Sequence, residues 1–322
     1  MKRIGIVTSG GDAPGMNACI RAATHIAFKN GMEMFGIERG FNGLIRGEVR
    51  QLDRFCIENI IHLGGTILGT SRSPEFYSKE GRAKAIKTLE RYQMEGLILI
   101  GGDGTFKGGT VLSEECGVAV VGLPGTIDND VYGTDYTIGF DTAVNCALQA
   151  IDRIRDTALS HERLFFVEVM GHHTGFIALH SGIAGGAVCM IIPEVSVSTE
   201  ELCKELSDLY GKGKRSAIVV VAEGDQPGDA FRIAKEVSAC AGFESRVCVL
   251  GHIQRGGAPT AKDRLLSSRL GVAAVIALKE GKRGIMVGEI GGKIVETPMQ
   301  DTWEKHKKLD VELQELAKLL AD

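Results

Sequence analysis

The sequence has few of the residues that interrupt a fold. Proline occurs only 7 times in 322 residues, and no Pro/Ser-rich linker or low-complexity stretch breaks the pattern. No apolar run approaches the roughly 18 residues that a membrane-spanning helix requires. The chain enters directly as Met1-Lys2-Arg3-Ile4-Gly5-Ile6-Val7, without an export-signal pattern, so neither export nor membrane spanning is expected. Charge of one sign is missing too: 37 Lys and Arg against 41 Asp and Glu leave a formal net charge of −4. No whole-molecule field therefore attracts nucleic acid or an anionic membrane, and an anionic ligand must be held by local clusters. The cysteines at 19, 56, 116, 146, 189, 203, 240 and 248 form no C-x-x-C pair and no zinc-like spacing. In a chain this long they are expected to be reduced thiols of a cytoplasmic protein.

What is abundant is glycine, 43 of 322 residues and nearly twice its average usage, which marks many close backbone approaches. Short apolar runs alternate with segments of helical period, the pattern of a parallel sheet covered by helices. Strands are expected at Ile4–Thr8, Met34–Ile37, Gly96–Ile100, Ala119–Gly122, Leu164–Val169, Ala187–Ile192, Ala217–Val221 and Val247–Leu250. Helices are expected at Ala18–Lys29, Ala83–Tyr92, Thr142–Thr157, Thr199–Tyr210, Ala230–Ala241, Lys262–Lys279 and Thr302–Leu320. Glycine-rich segments follow the strands at 8–15, 101–109, 122–130 and 251–257, so their loops are expected at one sheet edge, with a second α/β lobe inserted within the first.

Four motifs carry chemistry. Thr8-Ser9-Gly10-Gly11-Asp12-Ala13-Pro14-Gly15-Met16-Asn17 is a glycine turn between a strand and a helix. It could offer bare N–H groups to an anion or simply be a tight turn. It is neither G-x-G-x-x-G nor a Walker A loop, because Met16-Asn17 stands where Lys-Ser/Thr is needed. Gly101-Gly102-Asp103-Gly104-Thr105 sets a single carboxylate beside a phosphate-sized opening, either to hold Mg²⁺ or to cap the following helix. Pro124-Gly125-Thr126-Ile127-Asp128-Asn129-Asp130 places two carboxylates after a strand. These are Asx-turn formers on spacing alone but, beside Asp103, fit the division between proton acceptor and metal neighbourhood that phosphoryl transfer uses. Gly251-His252-Ile253-Gln254-Arg255-Gly256-Gly257, with Arg246, Arg163 and Arg72, supplies guanidinium forks that fit phosphate.

Together, SGGDAPGMN at 9–17, GGDGT at 101–105, PGTIDND at 124–130, VEVMG at 167–171 and LGHIQRGG at 250–257 resemble the bacterial ATP-dependent 6-phosphofructokinases, end to end and in register. The resemblance implies a two-lobed α/β fold, each lobe a Rossmann-like three-layer α/β/α sandwich with a largely parallel sheet. The larger, ATP-binding lobe would be 1–138 plus 251–301 and the smaller, sugar-phosphate-binding lobe 139–250 plus 302–322. It implies transfer of the ATP γ-phosphate to the 1-hydroxyl of fructose 6-phosphate with Mg²⁺ assistance. Asp128 would be the general base, with Thr126, Arg72 and Gly11 beside it. Gly11, Phe41, Arg72, Ser73, Gly102, Asp103, Gly104 and Thr105 would surround the nucleotide, Asp103 holding the metal. Thr126, Asp128, Asp130, Met170, Gly171, His172, Glu223 and His252 would surround the sugar. Arg163, Arg246 and Arg255 would grip its 6-phosphate, the first two from an adjacent subunit of a homotetramer.

The residues also carry departures. In pyrophosphate-dependent relatives, the alternative reading, the positions of Gly104 and Gly125 are typically Asp and Lys; both are glycine here, which favours ATP. His172 stands where Arg is usual and Phe41 where Tyr is common. At the family's ADP or phosphoenolpyruvate effector site, Arg21, Arg54, Arg155, Gly186, Lys212 and Lys214 match. His25 replaces an arginine and Val188 a metal-binding glutamate, so weaker activation by Mg-ADP is expected. Two other classes fit poorly. A nicotinamide-dependent oxidoreductase lacks its fingerprint, and a non-catalytic binding subunit would not need Asp103, Asp128 and Arg72 intact.

Overall fold

The computed structural model describes residues 1–195, 197–224, 229–242 and 244–320. In chain order its strands are β1 (Arg3–Thr8), β2 (Glu33–Ile37), β3 (Val49–Gln51), β4 (Gly96–Gly101), β5 (Ala119–Pro124), β6 (Leu164–Val169), β7 (Cys189–Ile191), β8 (Ala217–Ala222), β9 (Ser245–Val249), β10 (Ile285–Ile290) and β11 (Lys293–Pro298). Its helices are α1 (Met16–Lys29), α2 (Gly40–Arg46), α3 (Lys79–Tyr92), α4 (Asp103–Cys116), α5 (Phe140–His161), α6 (Phe176–Ala184), α7 (Thr199–Gly211), α8 (Asp229–Ala241), α9 (Ala261–Lys279), α10 (Asp301–Glu304) and α11 (Val311–Leu319). All eight strands expected from the apolar runs are present. They read as nearly continuous apolar runs, with the buried Glu168 in β6 an exception, as strands of a parallel sheet covered on both faces do.

The chain divides into two compact units, Met1–Thr142 with Arg255–Lys307, and Ala143–Gln254 with Lys308–Asp322. Each crossing lies a few residues beyond the position read from the sequence. At the first, the buried Asp263 carboxylate accepts the N–H groups of Gly139 and Thr142 and the Thr142 hydroxyl, which ties the opening turn of α5 to the larger unit. Asp263 thereby satisfies donors that a helix N-terminus leaves unpaired.

In the larger unit seven strands run in the order β11-β10-β5-β4-β1-β2-β3. The five inner strands are parallel, and β3 and β11 pair antiparallel at the two edges. From β1 the chain first adds β2 on one side and then β4 on the other. The strand order therefore reverses between β1 and β4, the place where an open α/β sheet leaves a crevice at the carboxyl ends of its strands. One face of this sheet packs Phe41, Leu44, Ala85, Leu89, Phe106 and Leu112 from α2, α3 and α4. Among the helices, α1 and α9 approach closely at Gly271, where a Cβ would stand 2.7 Å from the Cys19 carbonyl oxygen. The smaller unit holds a four-stranded parallel sheet, β7-β8-β6-β9, with a core of Leu164, Phe166, Val188, Leu202, Leu206, Val219, Val221 and Val237.

Two sequence expectations are corrected. The segment 302–320 is not one helix: α10 ends at Glu304, Lys305 is extended, and α11 begins only at Val311 with the Asp310 carboxylate accepting from Glu312 and Leu313. The 3.6-residue pattern continues across a break that Asp310, an N-cap residue, creates. The cysteines are not all thiols either. Cys203 on α7 and Cys240 on α8 are joined by a disulfide closing a loop of sequence separation 37, and six remain free. Their spacing gave no sign of it, because the pairing follows from α7 and α8 lying side by side.

Thiol titration of the denatured, unreduced protein is therefore expected to find six reactive groups, and eight after reduction. Phe106→Ala, which empties a fully buried position behind α4, is expected to cost about 3–5 kcal/mol. Chemical denaturation measures this.

Candidate active site

The first glycine turn and GGDGT meet at the β1/β4 reversal. Ser9 N–H donates to the Ile100 carbonyl, and Thr105 Oγ1 donates to the Ser9 carbonyl at 3.1 Å. A Cβ on Gly101 would stand 2.5 Å from that same carbonyl oxygen, so only glycine lets the two turns close up. Gly15, at φ 112°, is the N-cap residue of α1. Gly102 and Gly104 face open space, with no atom within 4 Å of a hypothetical Cβ. The second turn is thus a bare strip of backbone leading into the N-terminus of α4, the arrangement that attracts phosphate.

Asp103 is the first residue of α4. Its Oδ1 is buried without a hydrogen-bond partner. Burial first, and then the neighbouring Asp130, raise its pKa to about 6, against the opposing pull of Lys107 and His306. A carboxylate left this way suits a cation: the donor oxygen is present, desolvated and unengaged by protein.

After β5 the loop 125–138 carries Thr126, Asp128 and Asp130. Thr126 Oγ1 donates to Asp128 Oδ2 at 3.2 Å, and the Asp128 N–H donates back to Thr126 Oγ1. Gly125 N–H bonds the Gly101 carbonyl, setting this loop against the GGDGT turn. A side chain at 125 would collide with Ile100 and Met16, its Cβ 2.8 Å and 3.1 Å from them. The larger unit therefore brings together Gly11, Gly102, Asp103, Gly104, Thr105, Thr126, Asp128 and Asp130.

Arg72 and Ser73 lie on a loop held by three asparagine and threonine side chains. Asn42 accepts from Ser73 Oγ and donates to the Arg72 carbonyl, Thr70 Oγ1 donates to the Gly10 carbonyl, and Asn17 spans Leu63, Gly64 and Ile67. Arg72 itself is exposed. Arg255 reaches the glycine turn: a Cβ on Gly11 would stand 2.6 Å from Arg255 Nη1. Phe41 is instead a core residue, 5% exposed and stacked on Phe76 at 4.1 Å.

In the smaller unit, Met170, Gly171 and His172 follow β6, and Glu223 follows β8. Glu223 Oε1 accepts the His172 N–H, and the buried Gln254 accepts the Met170 N–H at 2.8 Å. His172 sits at φ 56°, a left-handed backbone that a histidine takes up only when its surroundings fix it. Arg163 and Arg246 converge on Glu244, and His252 is exposed on a 3₁₀ turn, Gly251–Arg255. Arg155 donates to the Gly185 and Gly186 carbonyls, while Val188 is buried in the core of this unit. In the larger unit, burial together with Arg21, Arg54 and Lys29 lowers the pKa of His25, so this histidine adds no fixed charge to the basic cluster.

Sequence reasoning missed the residues that hold these groups: Asn17, Asn42, Asn129, Gln254 and Lys307. Asn17 lay inside a quoted motif, but its partners are some 50 residues away. Lys307 is buried enough for its pKa to fall to about 7, an effect that Asp135 and Asp130 oppose.

Glycine turns, an orphaned carboxylate and a hydroxyl-bonded aspartate at adjoining ends of parallel strands define an α/β phosphotransferase. Comparison with known proteins agrees. Residues 3–278 match the family model "Phosphofructokinase". The chain is 57% identical over 321 residues, covering 100% of both sequences, to the ATP-dependent 6-phosphofructokinase 1 of Thermus thermophilus. It is 50% identical to the ATP-dependent 6-phosphofructokinase of Cytophaga hutchinsonii, covering 99% of this chain and 98% of the relative. The chain belongs to the phosphofructokinase family. Among solved structures, phosphofructokinase from Saccharomyces cerevisiae superposes with TM-score 0.91 at 33% identity, covering all of this chain and 48% of the yeast chain. A pyrophosphate-dependent phosphofructokinase from Marinobacter aquaeolei has TM-score 0.85 at 22% identity, covering 97% of this chain and 86% of that one, and shares the fold.

In the metal-free protein the Asp103 carboxyl is expected to titrate near pH 6. Asp130→Asn removes a like charge and should lower that value part of the way toward 4, with burial holding up the rest. Carbon-detected NMR titration of the aspartate carboxyls reads both.

Proposed function

We propose that the chain transfers the γ-phosphate of ATP to the 1-hydroxyl of fructose 6-phosphate, giving fructose 1,6-bisphosphate and ADP. The carrying observation is the grouping of Asp103 and the Thr126–Asp128 pair at the ends of β4 and β5, beside the open backbone of Gly102 and Gly104. Relatives named ATP-dependent 6-phosphofructokinase match it over 98–100% of their length. The glycine turns at 10–11 and 101–104, with Thr105, cradle the nucleotide phosphates through backbone N–H groups. Asp128 accepts the hydroxyl proton as the sugar oxygen attacks in line, and Thr126 orients its carboxylate. Arg72, exposed on an otherwise pinned loop, and Arg255, packed beside Gly11, supply positive charge for the phosphoryl oxygens.

Asp103 would hold Mg²⁺, its buried Oδ1 being the fitting donor. When bound, the ion neutralises charge on the β- and γ-phosphates. On the sugar side, Met170, Gly171, His172, Glu223 and His252 contact the ring. Arg163 and Arg246 grip the 6-phosphate of a neighbouring subunit's substrate within a homotetramer. ATP and sugar phosphates are intracellular substrates, and the protein is assigned to the cytoplasm.

The donor choice has a steric basis. At 104 an aspartate would project into the open space before the turn, where a nucleotide's α-phosphate belongs. At 125 a lysine would have to displace Ile100 and Met16. This favours ATP over pyrophosphate, the alternative donor. Effector control through Arg21, His25, Arg54, Arg155, Gly186, Lys212 and Lys214 is reduced in strength, because Val188 offers no metal ligand and is packed in the core.

Initial rates with Mg-ATP and Mg-pyrophosphate, with and without ADP at low fructose 6-phosphate, test these assignments. ATP-only turnover with little ADP activation is expected. Equal or faster turnover with pyrophosphate would reverse the donor assignment, and strong ADP activation the effector assignment. Asp128→Asn is expected to lower kcat by about 10²–10⁴-fold, with ATP affinity retained.

A further inference from the structure

The loop 125–138 must present Asp128 at a fixed place, and its interior shows how. Asn129, between Asp128 and Asp130, has a left-handed backbone at φ 56° and is 2% exposed. That conformation turns the chain sharply between the two aspartates and persists only if the surroundings impose it. The Asn129 amide does so: its Oδ1 accepts the Thr137 N–H at 2.9 Å, and its Nδ2 donates to the Asp135 carbonyl at 3.2 Å. Thr137 Oγ1 closes the loop onto the Thr126 carbonyl at 2.6 Å.

One further group enters from far along the chain. Lys307 Nζ donates to Asn129 Oδ1 and to the Asp135 carbonyl, both at 2.8 Å. It joins the peg at 129 to the far limb of the loop from a position 178 residues away in sequence. The segment that delivers it is non-helical, lying between α10 and α11. The charged groups of the loop that face it are Asp130 and Asp135, both of which favour its ammonium form. A long cationic side chain taken out of water is costly, and here it gains two short bonds to loop acceptors and the field of two carboxylates.

We propose that Lys307 is a positioning residue for the phosphoryl-transfer reaction, its ammonium clamping the Asn129 turn so that Asp128 and Asp130 are held in their working orientation. This rests on the role of Asp128 given above. Lys307 acts through Asn129 and the Asp135 carbonyl. Its removal should therefore lower kcat much more than it weakens ATP binding.

The test compares wild type, Lys307→Met and Lys307→Arg as full chains. Two readouts are taken: steady-state phosphorylation of fructose 6-phosphate by Mg-ATP, and hydrogen–deuterium exchange of peptides covering 125–138 and, as reference, β1 and β4. K307M is expected to lose about tenfold to a hundredfold in kcat, the scale a displaced catalytic group costs, with the KM for ATP changed by less than about threefold. Its 125–138 amides should exchange faster while the reference strands are unchanged. K307R, which keeps a cationic donor, should recover most of the kcat. The proposal is overturned if K307M matches wild type in kcat and loop exchange, if β1 and β4 loosen together with the loop, or if K307R is no better than K307M. A wild-type chain that fails to phosphorylate fructose 6-phosphate overturns the proposed function instead, and the exchange of the loop then decides whether Lys307 clamps it.

Discussion

The site depends on one short contact at the strand-order reversal of the larger unit. Ser9 N–H bonds to the Ile100 carbonyl and Thr105 Oγ1 to the Ser9 carbonyl, which holds the turn after β1 against the turn after β4. The absence of a side chain at Gly101 makes this approach possible. Everything chemical in this unit is arranged from that seam. α1 and α4 start beside it, Asp103 is carried in on the first turn of α4, and Gly125 fastens the next loop to it through the Gly101 carbonyl. A topology that reverses direction there leaves room for a ligand without any insertion.

Around that seam the structure separates two tasks. Residues offered to a ligand are left incompletely satisfied: Asp103 keeps a buried oxygen without a partner, and Gly102 and Gly104 face open space. Three of the amides that hold them are saturated. Asn17, Asn42 and Asn129 each use both ends of their amides on backbone or hydroxyl partners of loops that would otherwise be free. The contrast follows from the cost of burying unpaired polar groups, which concentrates unmet bonding capacity where a substrate will supply the missing partner.

The parallel strands other than β10 were legible because burial on both faces leaves nearly pure apolar runs such as Leu97-Ile98-Leu99-Ile100. The antiparallel edge strands of the larger sheet, β3 and β11, were not. β3 is three residues long, and β11, reading Lys293-Ile294-Val295-Glu296-Thr297-Pro298, mixes charge and proline with apolar residues, as a solvated edge requires. Helix α4 escaped notice because Asp103-Gly104-Thr105-Phe106-Lys107-Gly108-Gly109 contains glycines that disfavour helix. Gly109 is needed there, since its Cβ would collide with Leu99. The site motifs stood out as glycine next to acid, a local signal. Asn129, Gln254 and Lys307 gave none, because their partners are set by the fold and lie 6 to 178 residues away.

The position of β11 and β10 at one side of the larger sheet has a bearing on how the chain is made. Strand β5 is complete at Pro124, yet the neighbour that covers its open edge, β10, begins only at Ile285. On a ribosome adding about 5–20 residues per second, that edge waits on the order of 10 s for its partner. During that interval Ala119–Pro124, buried throughout in the finished protein, is an exposed hydrophobic ribbon with unpaired backbone groups. From the synthesis of the phosphate-handling turns until the antiparallel β10–β11 hairpin pairs with it, the growing chain thus carries an open strand edge of the kind that templates association with other chains.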